Sequence, residues 1–143
     1  MLREELVKIA LQWQERFGVA PSITSAISEY DAAMLVGMPE SEYSDYMQDK
    51  TAVHKGCDFV FKNIRYQVKG NRPSGKKGSF VTKVPNVSNY EWDRFIWILY
   101  DKHFVMQEAW EWAVDDYKSA FHNIKRLSPS HIRKGKCLYK KLI

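Results

Sequence analysis

The amino-acid sequence predicts a single α/β or α+β domain, and three observations predict it. Two stretches with apolar residues at helical spacing open the chain. Four short apolar or alternating stretches occupy the centre, and one more helical stretch follows, giving the order α-α-β-β-β-β-α. At 143 residues, with 45% hydrophobic and 27% charged residues, the chain has the size and composition of one globular domain.

Leu2, Leu6, Ile9, Ala10, Trp13 and Phe17 recur at helical spacing, with Glu4, Glu5, Lys8, Gln12 and Glu15 on the other side. This predicts an amphipathic helix over 1–18 that stops at Gly18. Trp13 and Phe17 are read as docking it on the body or on a second subunit. Pro21 and Ser22 open a second helix, 22–37, closed by Gly37. Residues 38–55 are polar, contain Pro39 and show little periodicity, so a connecting loop with at most one short turn is expected. Strands are expected at 57–62, 64–70, 94–101 and 104–112. The run from Phe95 to Tyr100 is apolar on both faces, which places it in the middle of the sheet. Asp101-Lys102 is expected to turn the chain into the stretch that starts at Phe104. A helix over 113–125 follows, and Ser128-Pro129 has the residue types of an N-cap and first helical position.

The net charge of +5 is unevenly spread. Residues 62–83 carry seven bases (Lys62, Arg65, Lys69, Arg72, Lys76, Lys77, Lys83) and no acid. The segment 126–143 is also basic and acid-free. Such blocks suit a polyanion, because each neutralised phosphate releases condensed counterions; they also suit a merely solvated face. No apolar run approaches the ~18–20 residues that cross a bilayer. Two cysteines, Cys57 and Cys137, make a disulfide framework unexpected, and the chain's opening lacks a secretory layout, so a cytoplasmic setting is expected.

The chemistry concentrates between Gly56 and Gly70. Lys62-Asn63 suits a two-residue hairpin turn, which pairs Phe61 with Ile64, Val60 with Arg65, Phe59 with Tyr66 and Asp58 with Gln67. Strand alternation then puts Cys57, Phe59, Phe61, Ile64, Tyr66 and Val68 on one face, and Asp58, Val60, Arg65, Gln67 and Lys69 on the other. Opposed residues have Cβ atoms ~4.5–5.5 Å apart, so a carboxylate and an amide oxygen there can share one hard cation. Lys69, on the same face, can hold an attacking water and offset charge on a phosphate. An ordinary exposed hairpin face has the same pattern.

Asp58 followed by Gln67-Val68-Lys69 resembles the Asp…(Glu/Asp)-X-Lys core of the restriction-endonuclease-like nucleases, the PD-(D/E)XK superfamily. Upstream, the segment from Ser28 and Glu29 to Gly37 is similar to that family's first core helix. The resemblance covers about 22–125. It implies an α/β core with a central mixed sheet of four to five strands flanked by helices, within one domain of 1–143. By the same resemblance, Asp58, Gln67, Glu29 and the Val68 carbonyl would ligate Mg²⁺, with Mn²⁺ as a substitute, and Asp58, Gln67, Lys69 and Glu29 would be catalytic. DNA, in particular duplex, would be the substrate of this endonuclease, and a homodimer would supply two sites. Cys57 stands where the family often has proline. Gln67 replaces the usual acid and removes one negative charge, which weakens divalent-ion affinity.

Lys69 is followed by a glycine-rich loop from which Arg72, Lys76 and Lys77 would reach backbone phosphates. With Arg65 and Lys83 they form the expected nucleic-acid contacts. Ser74-Gly75-Lys76 is no P-loop, since Lys77 stands where a Ser or Thr is required. The four histidines share no metal spacing, although His54 precedes Asp58 closely. Trp92, Trp97, Trp110 and Trp112 are read as core rather than as a base-stacking platform. The alternatives to an enzyme are a binding module of the same fold, or a domain whose basic segments bind an acidic protein.

Overall fold

The computed structural model describes residues 1–50 and 56–142. The chain runs α1 (Leu2–Phe17), α2 (Thr24–Leu35), α3 (Glu40–Asp49), β1 (Phe59–Phe61), β2 (Ile64–Asn71), β3 (Arg94–Tyr100), β4 (Met106–Ala113), α4 (Val114–Phe121), α5 (Pro129–Ile132) and β5 (Lys136–Lys140). It is an α/β protein with a five-stranded mixed sheet, in spatial order β1-β2-β3-β4-β5, flanked by helices. β2 and β3 run parallel; the other three neighbouring pairs are antiparallel.

β3 occupies the centre, as its apolar run predicts. Ile96 and Ile98 face α2, whose Ile27 and Ala33 pack with Phe59, Tyr66 and Val68. Phe95 and Trp97 face the other way, into a cluster with Trp92, Tyr117, Phe121 and Ile132. Trp92 and Trp97 are thus buried core residues. The parallel pairing of β2 with β3 requires a crossover, and residues 72–93 supply it with a single isolated bridge, Val84 to Leu127.

The hairpin register agrees with the sequence over three pairs: Phe59 with Tyr66, Val60 with Arg65 and Phe61 with Ile64. Lys62 and Asn63 both take positive φ (50° and 63°), as this turn demands. The expected fourth pair is not made. The Asp58 N–H donates to the Tyr66 carbonyl at 2.7 Å, the residue already opposite Phe59. Two residues therefore address one, the signature of a β-bulge, and alternation fails upstream of it. Cys57 consequently packs in the cluster with Phe95 and Trp97 rather than with Phe59.

Three further expectations are corrected. Residues 38–55 are not simply a loop, because Glu40–Asp49 is helical. Pro39 precedes this helix, Glu40 and Glu42 favour its N-terminal turn, and Tyr43 and Tyr46 pack onto the α2 side of the sheet. The fourth strand starts at Met106, since Phe104 sits at φ 62° in a turn that Asp101 braces by accepting the His103 and Val105 N–H groups. The basic C-terminal segment contributes β5, an edge strand with exposed lysines, beyond the short helix that Ser128-Pro129 opens.

The orientation of α1 also departs from its apolar pattern. The helix buries Val7 and Ala10, while Leu2, Leu6, Ile9, Trp13 and Phe17 face solvent. Polar anchors set this rotation. Arg3 pairs with Asp31 of α2 through two bonds of 2.7 Å and donates to the Phe104 carbonyl. Tyr100 of β3 donates to the same Asp31 carboxylate at 2.6 Å. Gln14 donates to the Ser74 carbonyl and accepts from Arg72. Burying charges is costly unless each stays paired, so these contacts fix which face of α1 turns inward. Replacing Asp31 by Ala strands Arg3 and the Tyr100 hydroxyl together. The expected cost is about 3 kcal/mol, read as a lower urea midpoint at unchanged slope.

Candidate active site

β1 has only three residues, so β2 loses its outer neighbour at Val68. The Asp58 carboxylate takes the place of the missing strand: its Oδ2 accepts the Val68 N–H at 2.7 Å. In a strand, the N–H and C=O of one residue point to the same edge. The Val68 carbonyl therefore also faces the edge that β1 has left.

Glu29 approaches this edge from α2. The helix lies close to β2 here; a Cβ added at Gly70 would sit 2.7 Å from the Ser28 Cβ. Gly70 thus permits the approach that brings the next residue, Glu29, to Asp58. The two carboxyl groups are hydrogen-bonded, and the Glu29 pKa rises to about 7. Burial is the main cause, followed by the hydrogen bond to Asp58 and its charge, while Lys50 and Lys69 oppose the rise.

α3 adds a third wall. Lys50, the residue after its last turn, donates from Nζ to the Asp58 carbonyl at 2.9 Å. The Tyr43 hydroxyl lies near enough to Glu29 and Asp58 that their charges, after burial, push its pKa up to about 12. Tyr46 is likewise pushed to about 12, by burial and then by Cys57. Lys50 and Tyr43 were not expected at the site. The signal for them was the spacing of Tyr43, Tyr46 and Met47 behind Pro39, with Lys50 one turn further on.

Gln67 and Lys69 lie in register with Phe95 and Trp97, so their side chains leave the sheet on the face opposite α2. Asp58 lies between the two faces, at the edge. The structure thus brings Asp58, Glu29 and the Val68 backbone together, with Lys69 near enough for its charge to act on Glu29. Gln67 flanks Val68 in β2, and among the described residues no hydrogen bond joins it to Asp58 or Glu29. Nor do the described residues hold a group of three His, Cys, Asp or Glu side chains arranged for a metal. The oxygens at the edge are two carboxylates and a backbone carbonyl, donor types that hard cations take.

The basic residues divide into two kinds. Arg65 forms an exposed pair with Asp93, and its own N–H donates to the same carboxylate. Arg72 is turned inward, donating to the Lys102 carbonyl and to Gln14, with its guanidinium 4.4 Å from the centre of the Phe104 ring. Lys76, Lys77 and Lys83 are exposed on the crossover. His54 lies outside the described residues. His131 caps α5, its Nδ1 accepting the Ser128 N–H at 3.0 Å.

No protein-family model matches this chain, and neither does any curated protein.

The Glu29 shift has a consequence for stability. Its folded pKa lies above the ordinary value of 4.5, so the folded protein retains a proton that the unfolded chain releases. This contribution is complete below about pH 4.5 and is lost as pH rises through 7. In the presence of a chelator, Tm is therefore expected to fall across this window. Glu29→Gln is expected to flatten that slope, and thermal melts between pH 4 and 8 check both statements.

Proposed function

We propose that the chain is a metal-dependent endodeoxyribonuclease of restriction-endonuclease-like fold, with Asp58, Glu29, Gln67 and Lys69 at its centre. The observation that carries this reading is the Asp58 carboxylate at the β2 edge, accepting the Val68 N–H, with the Glu29 carboxyl drawn up beside it and Lys50 and Lys69 flanking. A purely structural role gives no reason to hold two acids in contact at a partly buried edge. A cation site does.

Asp58, Glu29, the Val68 carbonyl and the Gln67 amide oxygen are the groups that would hold Mg²⁺, with Mn²⁺ able to substitute. Such an ion supplies Lewis-acid polarisation of a phosphodiester and a water more acidic than bulk. With such an ion bound, the Glu29 carboxyl would be held deprotonated and would serve, beside Asp58, as an oxygen donor. Lys69 orients the attacking water by hydrogen bonding and offsets the charge that develops on the non-bridging phosphate oxygens. Lys50 positions Asp58 through its backbone carbonyl without touching substrate. The acid-free run 62–83 supports a nucleic-acid substrate, with Lys76, Lys77 and Lys83 as its exposed cations and Arg65 as a contact held in place by Asp93.

Gln67 favours a second reading, a nucleic-acid-binding module without catalysis, because the neutral amide leaves the site one negative charge short.

Cleavage of duplex and single-stranded DNA with Mg²⁺ or Mn²⁺ separates the two. The nuclease cuts only with metal, and Lys69→Ala lowers the rate by about 100-fold or more. Steeply salt-dependent binding without cutting in wild type selects the module. Gln67→Glu is expected to tighten Mn²⁺ binding on the order of tenfold, since added ligand charge strengthens hard-cation sites. An unchanged calorimetric titration excludes Gln67 as a ligand.

A further inference from the structure

A cavity of about 680 Å³ opens on the β4–β5 side of the sheet, whereas Asp58 sits at the β1–β2 edge. Arg94 of β3, Glu111 and Trp112 of β4, Asp116 of α4, and Lys134 and Lys136 of the basic C-terminal segment line it. Its volume lies within the ~300–1,000 Å³ typical of small-molecule sites.

Glu111 is the unusual group. Its side chain is 8% exposed, and its one hydrogen-bond donor among the described residues is Arg94, at 3.5 Å. Charge-assisted bonds of this kind normally close to ~2.7–2.9 Å. The carboxylate, with about four lone-pair positions, therefore keeps most of its acceptor capacity for donors that a ligand brings. Lys136 stands opposite Glu111 in the β4–β5 register but forms no salt bridge with it. Lys134 and Asp116 take part in none of the salt bridges among the described residues. Gly135 holds the two lysines at the cavity. A Cβ there would fall 2.7 Å from the Glu111 carbonyl oxygen, so the chain lies directly on β4 between them. The Trp112 ring, fixed by donation from Nε1 to the Ile132 carbonyl at 2.9 Å, adds an aromatic surface.

We propose that this cavity binds a guanine nucleotide, its base read by Glu111 and Arg94 and its phosphate met by Lys134 and Lys136. The order of donors and acceptors selects the base. The buried carboxylate calls for two neighbouring N–H donors, and the guanidinium beside it calls for acceptors. Guanine presents N1–H and N2–H next to O6 and N7 along one continuous edge. Adenine and cytosine each set a ring-nitrogen acceptor beside their amino group, which turns a lone pair toward the carboxylate. Uracil and thymine have a single N–H between two carbonyls. A bare phosphate suits the lysines but is repelled by Glu111 and Asp116. Guanylate occurs both as a free mononucleotide and within a strand, and its chemistry at Glu111 is the same in both. The inference uses no part of the nuclease reading.

Calorimetric titration of the full chain tests it, with a chelator present so that the Asp58 site takes no part. GMP is expected to bind, and AMP and CMP to bind about tenfold or more weaker. Inosine monophosphate, which lacks the 2-amino group, is expected to fall by about tenfold. Glu111→Gln removes the preference for GMP over AMP. Lys134→Ala together with Lys136→Ala weakens GMP by about tenfold and leaves guanosine unchanged. The single-stranded trinucleotide TpGpT separates the two sources. Binding tighter than that of GMP assigns the site to guanine within a strand, and equal or weaker binding assigns it to the free nucleotide. No binding of either ligand at millimolar concentration overturns the proposal. So does equal affinity for GMP and AMP in the wild type, or a preference for GMP that survives in Glu111→Gln. The wild-type ranking of nucleotides decides the matter should that variant fail to fold.

Discussion

The bond from the Val68 amide to the Asp58 carboxylate is the constraint on which the site depends. A strand edge must satisfy its backbone donors, and β2 runs on past the point where β1 stops pairing with it. Another backbone carbonyl would have continued the ladder and covered the edge. A side-chain carboxylate does the same work at Val68 and leaves the Val68 carbonyl beside an anionic group. The bulge at Asp58 makes the substitution possible, because the extra residue brings the side chain to the rim of the sheet.

The rest of the fold holds that edge still. β3 is buried on both sides and fixes β2 by parallel pairing over six residues, Tyr66 to Asn71. α2 is fixed against β2 by the Ser28–Gly70 approach and against α1 and β3 by the Asp31 carboxylate, which accepts from both Arg3 and Tyr100. Glu29 and Asp31 lie two residues apart on one rigid helix. One meets Asp58 and the other anchors the helix, so the carboxyl pair is held by packing on elements well removed from it.

Much of this was legible in the sequence, for identifiable reasons. The hairpin register followed from Lys62-Asn63, because a two-residue turn leaves little choice of pairing. β3 was evident because only a central strand has apolar residues at consecutive positions. The bulge was not, since counting alternate residues assumes that none is inserted. α3 was obscured by its acids and serines, its apolar contacts resting on Tyr43, Tyr46 and Met47. β5 is too short and too basic to show a pattern, and it is a strand because β4 offers it an edge. The inward face of α1 was misread because Arg3 and Gln14, polar by type, are the residues whose partners lie inside. For the site, Asp58 and Glu29 were read from the sequence and lie near enough for Asp58 to act on the Glu29 carboxyl, whereas Lys50 was passed over because its approach depends on where α3 ends.

The bridge between Val84 and Leu127 has a mechanical meaning. Both residues are fully buried, and their bond ties the crossover to the body near its midpoint. The lysine-bearing portion, 72–83, is thus a short tethered arm rather than half of a long free one. An arm of about a dozen residues that must go out and return extends no more than ~20 Å. On the nucleic-acid reading proposed above, that is about six base pairs of rise, which would limit Lys76 and Lys77 to phosphates within a little over half a turn of their anchor.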